Sequence, residues 1–240
     1  MQYGTAARAG LVAREMDQTS ATAYAHNGPV TERDQTLGEE IANAVSHGVA
    51  LLAALATVPF LIAAASHRHP SAIVGVAVFG ATMVLLYFTS TLYHALPPGR
   101  AKRILLKLDY SAIYLFIAGS YTPFALGALA GPWGWSLFGV VWTLAAAGVA
   151  LKAFDRLSHP WASTGLYLAM GWLVVVAAVP MLERVPLAGL GWLLAGGIAY
   201  TLGVVFFVLD HRVRYAHAIW HAFVATGTGL HVVAVMGYSG

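Results

Sequence analysis

Seven long apolar runs dominate this chain and limit what it can fold into. Each run is about 20 residues long, the length at which a helix crosses a hydrocarbon layer roughly 30 Å thick. The runs cover approximately residues 41–65, 72–96, 105–129, 134–151, 161–182, 187–209 and 216–236. A transmembrane β-barrel would instead show short strands of alternating polarity. The pattern therefore predicts an all-α membrane protein, a bundle of seven transmembrane helices.

Composition supports this class and excludes several chemistries. Apolar residues make up 59% of the 240 positions and charged residues only 10%, a combination foreign to ordinary soluble domains. Cysteine is absent, which excludes disulfides, thiolate metal ligands and cysteine nucleophiles. The formal net charge is +3, and the basic residues are spread over several loops. This distribution fits membrane topology, so we expect membrane lipids, and no nucleic acid, as partners.

The segment before the first apolar run differs from the rest of the chain. Residues 1–36 mix both charge signs with small polar residues and show no hydrophobic periodicity, which predicts a weakly ordered polar tail. Thr36 and Glu39 match a capping box, in which the two side chains satisfy the first free amides of a helix. The sequence therefore predicts a tail over residues 1–36 and one transmembrane domain over residues 37–240.

Positive charge is divided unequally between the two sides of the predicted bundle. Eleven Lys and Arg residues fall on the side of the N-terminus, and only Arg68 and Arg184 fall on the other. Because cytoplasmic loops retain Lys and Arg, this bias predicts a cytoplasmic N-terminus and an external C-terminus. We expect a multi-pass protein of the plasma (inner) membrane.

Polar residues from three apolar runs reach one depth in this topology. His217 and His221 lie four residues apart at the start of the seventh run and share one helix face. His94 lies at the cytoplasmic end of the second run, one turn beyond Ser90, and Asp109 lies near the start of the third. Three imidazoles and one carboxylate at one level, with no thiolate available, favour a divalent ion of the zinc type. We expect one zinc per chain, bound by the three histidines.

Asp109 and Ser90 are the candidate catalytic residues beside this ion. Zinc lowers the pKa of a bound water to about 7, so that a nucleophile forms at neutral pH. Asp109 is placed to accept or orient the proton of that water, and Ser90 to donate to a developing oxyanion. In the competing interpretation, Asp109 caps the third helix or pairs with Lys107 or Arg103 at the membrane interface. Ser90 then only bonds to a backbone carbonyl or packs closely against a neighbouring helix.

The first helix adds a polar stripe that enters from the same side. Glu39, Asn43 and His47 follow one another at intervals of four residues, and we interpret them as a possible outer shell that orients the metal ligands. His47 as a fourth ligand is a less favoured alternative. His231 lies about 15 Å deeper than His221 by helical rise, too far to bind the same ion.

The motifs together resemble the hemolysin III family, the bacterial relatives of the progestin and adiponectin receptors. The resemblance rests on the segments 39–43, 46–47, 90–94, 108–114, 122–123 and 217–221 and covers the chain from about Leu37 to its end. It implies a zinc ion held by His94, His217 and His221, with Ser90 and Asp109 near the bound water. The wider superfamily includes alkaline ceramidases and is regarded as a set of membrane-bound metal-dependent hydrolases.

Two classes of function remain open from the sequence. In the first, the protein is an enzyme whose activated water attacks the amide or ester carbonyl of a lipid, with a ceramide-like amide favoured by the resemblance. In the second, the zinc is structural and the bundle acts as a lipid sensor, a receptor-like module or a pore. A retinal pump is excluded because the seventh run contains no lysine, and bis-histidine haem binding is a distant alternative.

Overall fold

The computed structural model describes residues 33–157 and 160–240, so the predicted tail lies outside the described residues up to position 32. All regular secondary structure in the described part is helical. The helices are α1 (Leu37–Ala65), α2 (Pro70–Ala95), α3 (Arg100–Leu126), α4 (Pro132–Ala153), α5 (Pro160–Gly171), a 3₁₀ segment (Trp172–Ala177), α6 (Ala178–Arg184), α7 (Leu187–Leu209) and α8 (Ala216–Tyr238).

Seven of the helical spans in the described part are long and apolar enough to cross a membrane. Six of them are single α-helices, and the fifth, Trp161–Arg184, combines α5, the 3₁₀ segment and α6. The prediction of an all-α protein with seven membrane-spanning helices is confirmed. Which terminus faces the cytoplasm stays a prediction.

Local sequence signals explain where several helices begin. The Thr36 hydroxyl accepts from the Glu39 amide, and the Glu39 carboxylate accepts from the Thr36 amide at 3.0 Å, which confirms the capping box at the start of α1. Proline occupies the first turn of α2 and of α4, where its missing amide hydrogen costs no hydrogen bond.

The fifth span departs from the single regular helix that its apolar run predicts. The Tyr121 hydroxyl of α3 lies 2.8 Å from the Met170 carbonyl and 2.7 Å from the Gly171 carbonyl, so it donates to this pair. It also accepts from the Val174 amide at 3.0 Å. The tyrosine thereby satisfies backbone groups that the 3₁₀ segment leaves without regular partners, which is how a helix break is tolerated in a membrane.

The helices pack mainly against their neighbours in sequence, and α8 closes the bundle by packing against α1 as well as α7. Small residues allow the close approach of α7 and α8, since a methyl group at Gly203 would lie 2.7 Å from the Phe223 side chain. One end of the bundle holds the starts of α1, α3, α5 and α8 and the ends of α2, α4 and α7. We call it the basic end, because the short loops there carry most of the Lys and Arg residues.

Candidate metal centre

Three imidazoles meet at the basic end of the bundle. The last turn of α2 supplies His94, and the first two turns of α8 supply His217 and His221. One ligand atom from each of the three lies within 4.8 Å of the others. The ring centroids are 4.7 Å apart for His217 and His221 and 5.1 Å apart for each of the other two pairs. The structure therefore brings together the three histidines that the sequence assigns as metal ligands.

Oxygen atoms engage the Nδ1 atom of each of these imidazoles. His94 Nδ1 lies 2.8 Å from a Glu40 carboxylate oxygen, and His217 Nδ1 lies 2.9 Å from an Asp210 carboxylate oxygen. His221 Nδ1 lies 3.2 Å from the backbone carbonyl oxygen of Asn43. A ring that donates from Nδ1 keeps the Nε2 lone pair free, and this is the usual arrangement of a metal-binding histidine.

The donor set fits a divalent ion. His94 Nε2 is buried and forms no hydrogen bond in the structure, so one potential ligand atom lies in the group without a partner. Three neutral imidazole nitrogens suit zinc and related transition metals, and such three-histidine sites keep one position open. The described residues can therefore hold a metal ion at this point.

Ser90 and Asp109, the predicted catalytic residues, lie beside the three histidines. The Ser90 hydroxyl lies 2.7 Å from His47 Nδ1, so its partner is a side chain rather than only a backbone carbonyl. Asp109 interacts electrostatically with both Ser90 and His217. Of the two alternative partners of Asp109, Lys107 and Arg103, Lys107 forms an ion pair with Asp155 at 2.7 Å.

The polar stripe of α1 lies partly within this group. His47 stacks on His221 with ring centroids 3.4 Å apart, and its Nε2 atom is buried without a hydrogen bond. The Asn43 side-chain nitrogen lies 3.5 Å from His94 Nδ1, and the backbone carbonyl of Asn43 faces His221. Glu39 lies at the edge of the group, where its carboxylate accepts from the Tyr215 amide at 3.0 Å. That contact joins the start of α1 to the start of α8.

Sequence reasoning did not identify Glu40 and Asp210, the two carboxylates that contact the imidazoles. Glu40 also accepts from Lys102 at 2.7 Å, so a basic side chain of α3 supports it. The sequence nevertheless contains a signal that points to these two carboxylates. Acidic residues are rare after position 36, and both Glu40 and Asp210 fall on the predicted cytoplasmic side, within seven residues of Asn43 and His217 respectively.

His231 lies apart from this group, as its sequence position predicts. Its Nε2 atom lies 3.3 Å from the Leu193 carbonyl oxygen, and its ring contacts Tyr200 with centroids 5.3 Å apart. The residue therefore belongs to the interface between α7 and α8 rather than to the metal centre.

Comparisons with known proteins agree with the motifs. The family model described as "Haemolysin-III related" matches residues 35–232. "Hemolysin-3" of Bacillus cereus is 43% identical over 210 residues, which cover 87% of this chain and 95% of that protein. The "Hemolysin-3 homolog" of Bacillus subtilis is 41% identical over 204 residues, covering 85% and 95%. The human "Monocyte to macrophage differentiation factor" is 32% identical over 170 residues, covering 67% and 68%. No solved structure matches the chain. The chain therefore belongs to the haemolysin-III-related family.

Proposed function

We propose that this protein is a zinc-dependent hydrolase that cleaves an amide or ester bond of a membrane lipid. One observation carries the proposal: three imidazoles lie within reach of one ion, and an oxygen acceptor engages the Nδ1 atom of each. Two of these acceptors are carboxylates, which fix the tautomer and the orientation of the rings they contact. Such support is costly to build within a membrane and is typical of a functional site.

A zinc ion held by His94, His217 and His221 would supply Lewis acidity, which would make a water beside it acidic enough to lose a proton near neutral pH. Asp109 is close enough to His217 to receive the proton of that water or to orient it toward a carbonyl carbon. With His47 Nδ1–H donating to its oxygen, Ser90 keeps its own hydrogen to donate toward the carbonyl oxygen as negative charge develops there. Glu40 and Asp210 hold His94 and His217 in the tautomer that presents Nε2.

The position of the site favours a lipid as the substrate. The histidines lie within membrane-length helices whose outer faces are apolar, so a substrate reaches them most directly from the bilayer. The wider superfamily of the family that the motifs resemble includes alkaline ceramidases, which favours a ceramide-like amide. The bias of basic residues supports a site in the cytoplasmic half of the membrane, which we propose to be the plasma membrane.

Metal analysis is the first test. Purified protein is expected to contain about one zinc per chain, and His94→Ala is expected to lose it because two imidazoles bind zinc far less tightly than three. The matched control is His69→Ala, which removes an exposed histidine at the opposite end of the bundle. Equal zinc content in wild type and His94→Ala would exclude the proposed site.

Activity then separates an enzyme from a protein with a structural metal. Hydrolysis of a short-chain ceramide in lipid nanodiscs is expected for wild type, and Asp109→Asn is expected to lower kcat by roughly 10²- to 10⁴-fold while it retains zinc. Asp155→Asn is the control, since it changes an exposed carboxylate near the same end. Full zinc content without hydrolysis of any lipid amide or ester would instead support a non-catalytic lipid sensor, receptor-like module or pore.

A further inference from the structure

Ser46 of α1 contacts a candidate metal ligand, although the proposed mechanism does not use it. Its hydroxyl oxygen lies 3.0 Å from His221 Nδ1. The backbone carbonyl oxygen of Asn43, one turn earlier in the same helix, lies 3.2 Å from the same nitrogen. Two oxygens of α1 therefore meet one ring nitrogen of His221, and Ser46 provides the nearer of them.

The partners of the Ser46 hydroxyl fix the direction of these hydrogen bonds. Its single hydrogen is donated to the backbone carbonyl of Asn43, at 2.9 Å. The Ser46 oxygen therefore accepts from His221, which requires a proton on Nδ1. The Asn43 carbonyl can only accept, so it requires the same proton position. Both contacts leave the Nε2 lone pair of His221 available to a metal ion.

The Asn43 carbonyl is the weaker of the two acceptors. As a carbonyl within an α-helix, it also accepts from the amide four residues later. It accepts from the Ser46 hydroxyl as well, so its two lone pairs are already engaged before His221 approaches. The longer distance to His221 agrees with this crowding. Most of the preference for a proton on Nδ1 therefore comes from Ser46.

His221 is supported differently from the other two candidate ligands. The carboxylates of Glu40 and Asp210 contact His94 and His217, and a negative charge holds an N–H donor strongly. Both oxygens that contact His221 Nδ1 in the described part of the chain are neutral. The tautomer of His221 is thus the one most sensitive to the loss of a single hydrogen bond.

We propose that Ser46 is a positioning residue of the metal centre, whose hydroxyl holds His221 in the tautomer that presents Nε2 to the ion. The inference rests on the three-histidine site of the proposed function, but not on any hydrolytic step. It assigns a role to a side chain that touches neither the ion nor a substrate.

Zinc affinity is the first test, measured by competition with a chromophoric chelator on metal-depleted protein. Ser46→Ala is expected to bind zinc roughly 10-fold more weakly. Threonine and valine have nearly the same shape, and only threonine has a hydroxyl that can bond back to the helix. Ser46→Thr is therefore expected to remain within about threefold of wild type, and Ser46→Val to match Ser46→Ala.

The matched control is Ser66→Ala at the other end of α1. The Ser66 hydroxyl makes the same type of bond, to the carbonyl of Ala63 at 2.7 Å, but its side chain is exposed and lies far from the histidines. Zinc affinity is expected to be unchanged in this variant. Equal zinc affinities for Ser46→Thr and Ser46→Val would show that the hydroxyl has no role and would overturn the proposal.

Nitrogen NMR of histidine-labelled, metal-depleted protein tests the tautomer directly, with the His221 signals assigned by comparison with His221→Gln. Wild type and Ser46→Thr are expected to carry the proton on Nδ1, and Ser46→Val to shift toward Nε2. A proton on Nε2 in wild type, or the same tautomer in Ser46→Val, would refute the role of Ser46. This measurement needs no bound metal, so it decides the inference even if wild type binds no zinc and the proposed function fails.

Discussion

His47 of α1 and His221 of α8 stack face to face, with ring centroids 3.4 Å apart and an angle of 10° between their planes. The pair joins the first and last helices inside the metal centre, because His221 is one of the three candidate ligands. His47 also holds the Ser90 hydroxyl at 2.7 Å. One side chain therefore orients both a ligand and a candidate catalytic group.

We expect His47→Ala to weaken zinc binding by roughly 10- to 100-fold, the usual loss when a residue that orients a metal ligand is removed. The His221 ring would lose the surface that fixes its plane. Affinity is measured by competition with a chromophoric chelator on metal-depleted protein. His231→Ala is the control, since it removes another imidazole of α8, one that contacts Leu193 rather than the metal ligands. Equal affinities for wild type and His47→Ala would contradict this role.

Glu40→Gln is expected to lower zinc affinity by about 10-fold or more. The substitution keeps an oxygen acceptor near His94 Nδ1 but removes the negative charge that polarises the ring and pairs with Lys102. The same chelator competition measures the effect. Glu183→Gln provides the comparison, because that carboxylate is exposed at the opposite end of the bundle. An effect of similar size in both variants would assign the loss to net charge rather than to the contact with His94.

Tyr121→Phe is expected to destabilise the fold by about 1–3 kcal/mol while leaving zinc content unchanged. The substitution removes the donor for the Met170 and Gly171 carbonyls and the acceptor for the Val174 amide, so buried backbone groups lose their partner. Thermal unfolding in detergent measures the effect, with Tyr238→Phe as the matched control. A melting temperature equal to that of wild type would mean that the break in the fifth span is held by other contacts.

The sequence predicts most of the fold because each helix must satisfy the hydrogen-bonding groups of its own backbone within the membrane, so hydropathy alone defines the spans. Hydropathy does not predict the break in the fifth span. Residues 161–182 read as one apolar run, and the hydroxyl that stabilises the 3₁₀ segment comes from Tyr121 on another helix. Tertiary contacts of this kind leave no periodic signal in the segment they alter.

The candidate site likewise has a part that the sequence predicts and a part that it does not. The i, i+4 spacing of His217 and His221 and the shared depth of His94 are properties of helices, so the sequence predicts that they meet. The partner of His217 depends on a turn instead. Asp210 reaches the ring from the end of α7 across a short connection, in which Tyr215 adopts a left-handed backbone conformation, with φ of 60°, just before α8. Residue spacing does not encode that geometry.

Gly148→Ala is expected to destabilise the fold by roughly 1–3 kcal/mol, the usual cost of overfilling a packed interior. The added methyl group would lie 2.6 Å from the Tyr114 ring, and Tyr167 blocks the other side of that ring. Thermal unfolding measures the loss.

Gly139→Ala is the matched control on the same helix. A methyl group there meets nothing within 4 Å, so the better helix propensity of alanine leaves stability unchanged or slightly improved. The contrast between the two variants isolates the packing of Tyr114, because both make the same chemical change in α4. Equal melting temperatures for the two would mean that the Tyr114 ring moves aside freely and that its contact with Gly148 does not contribute to stability.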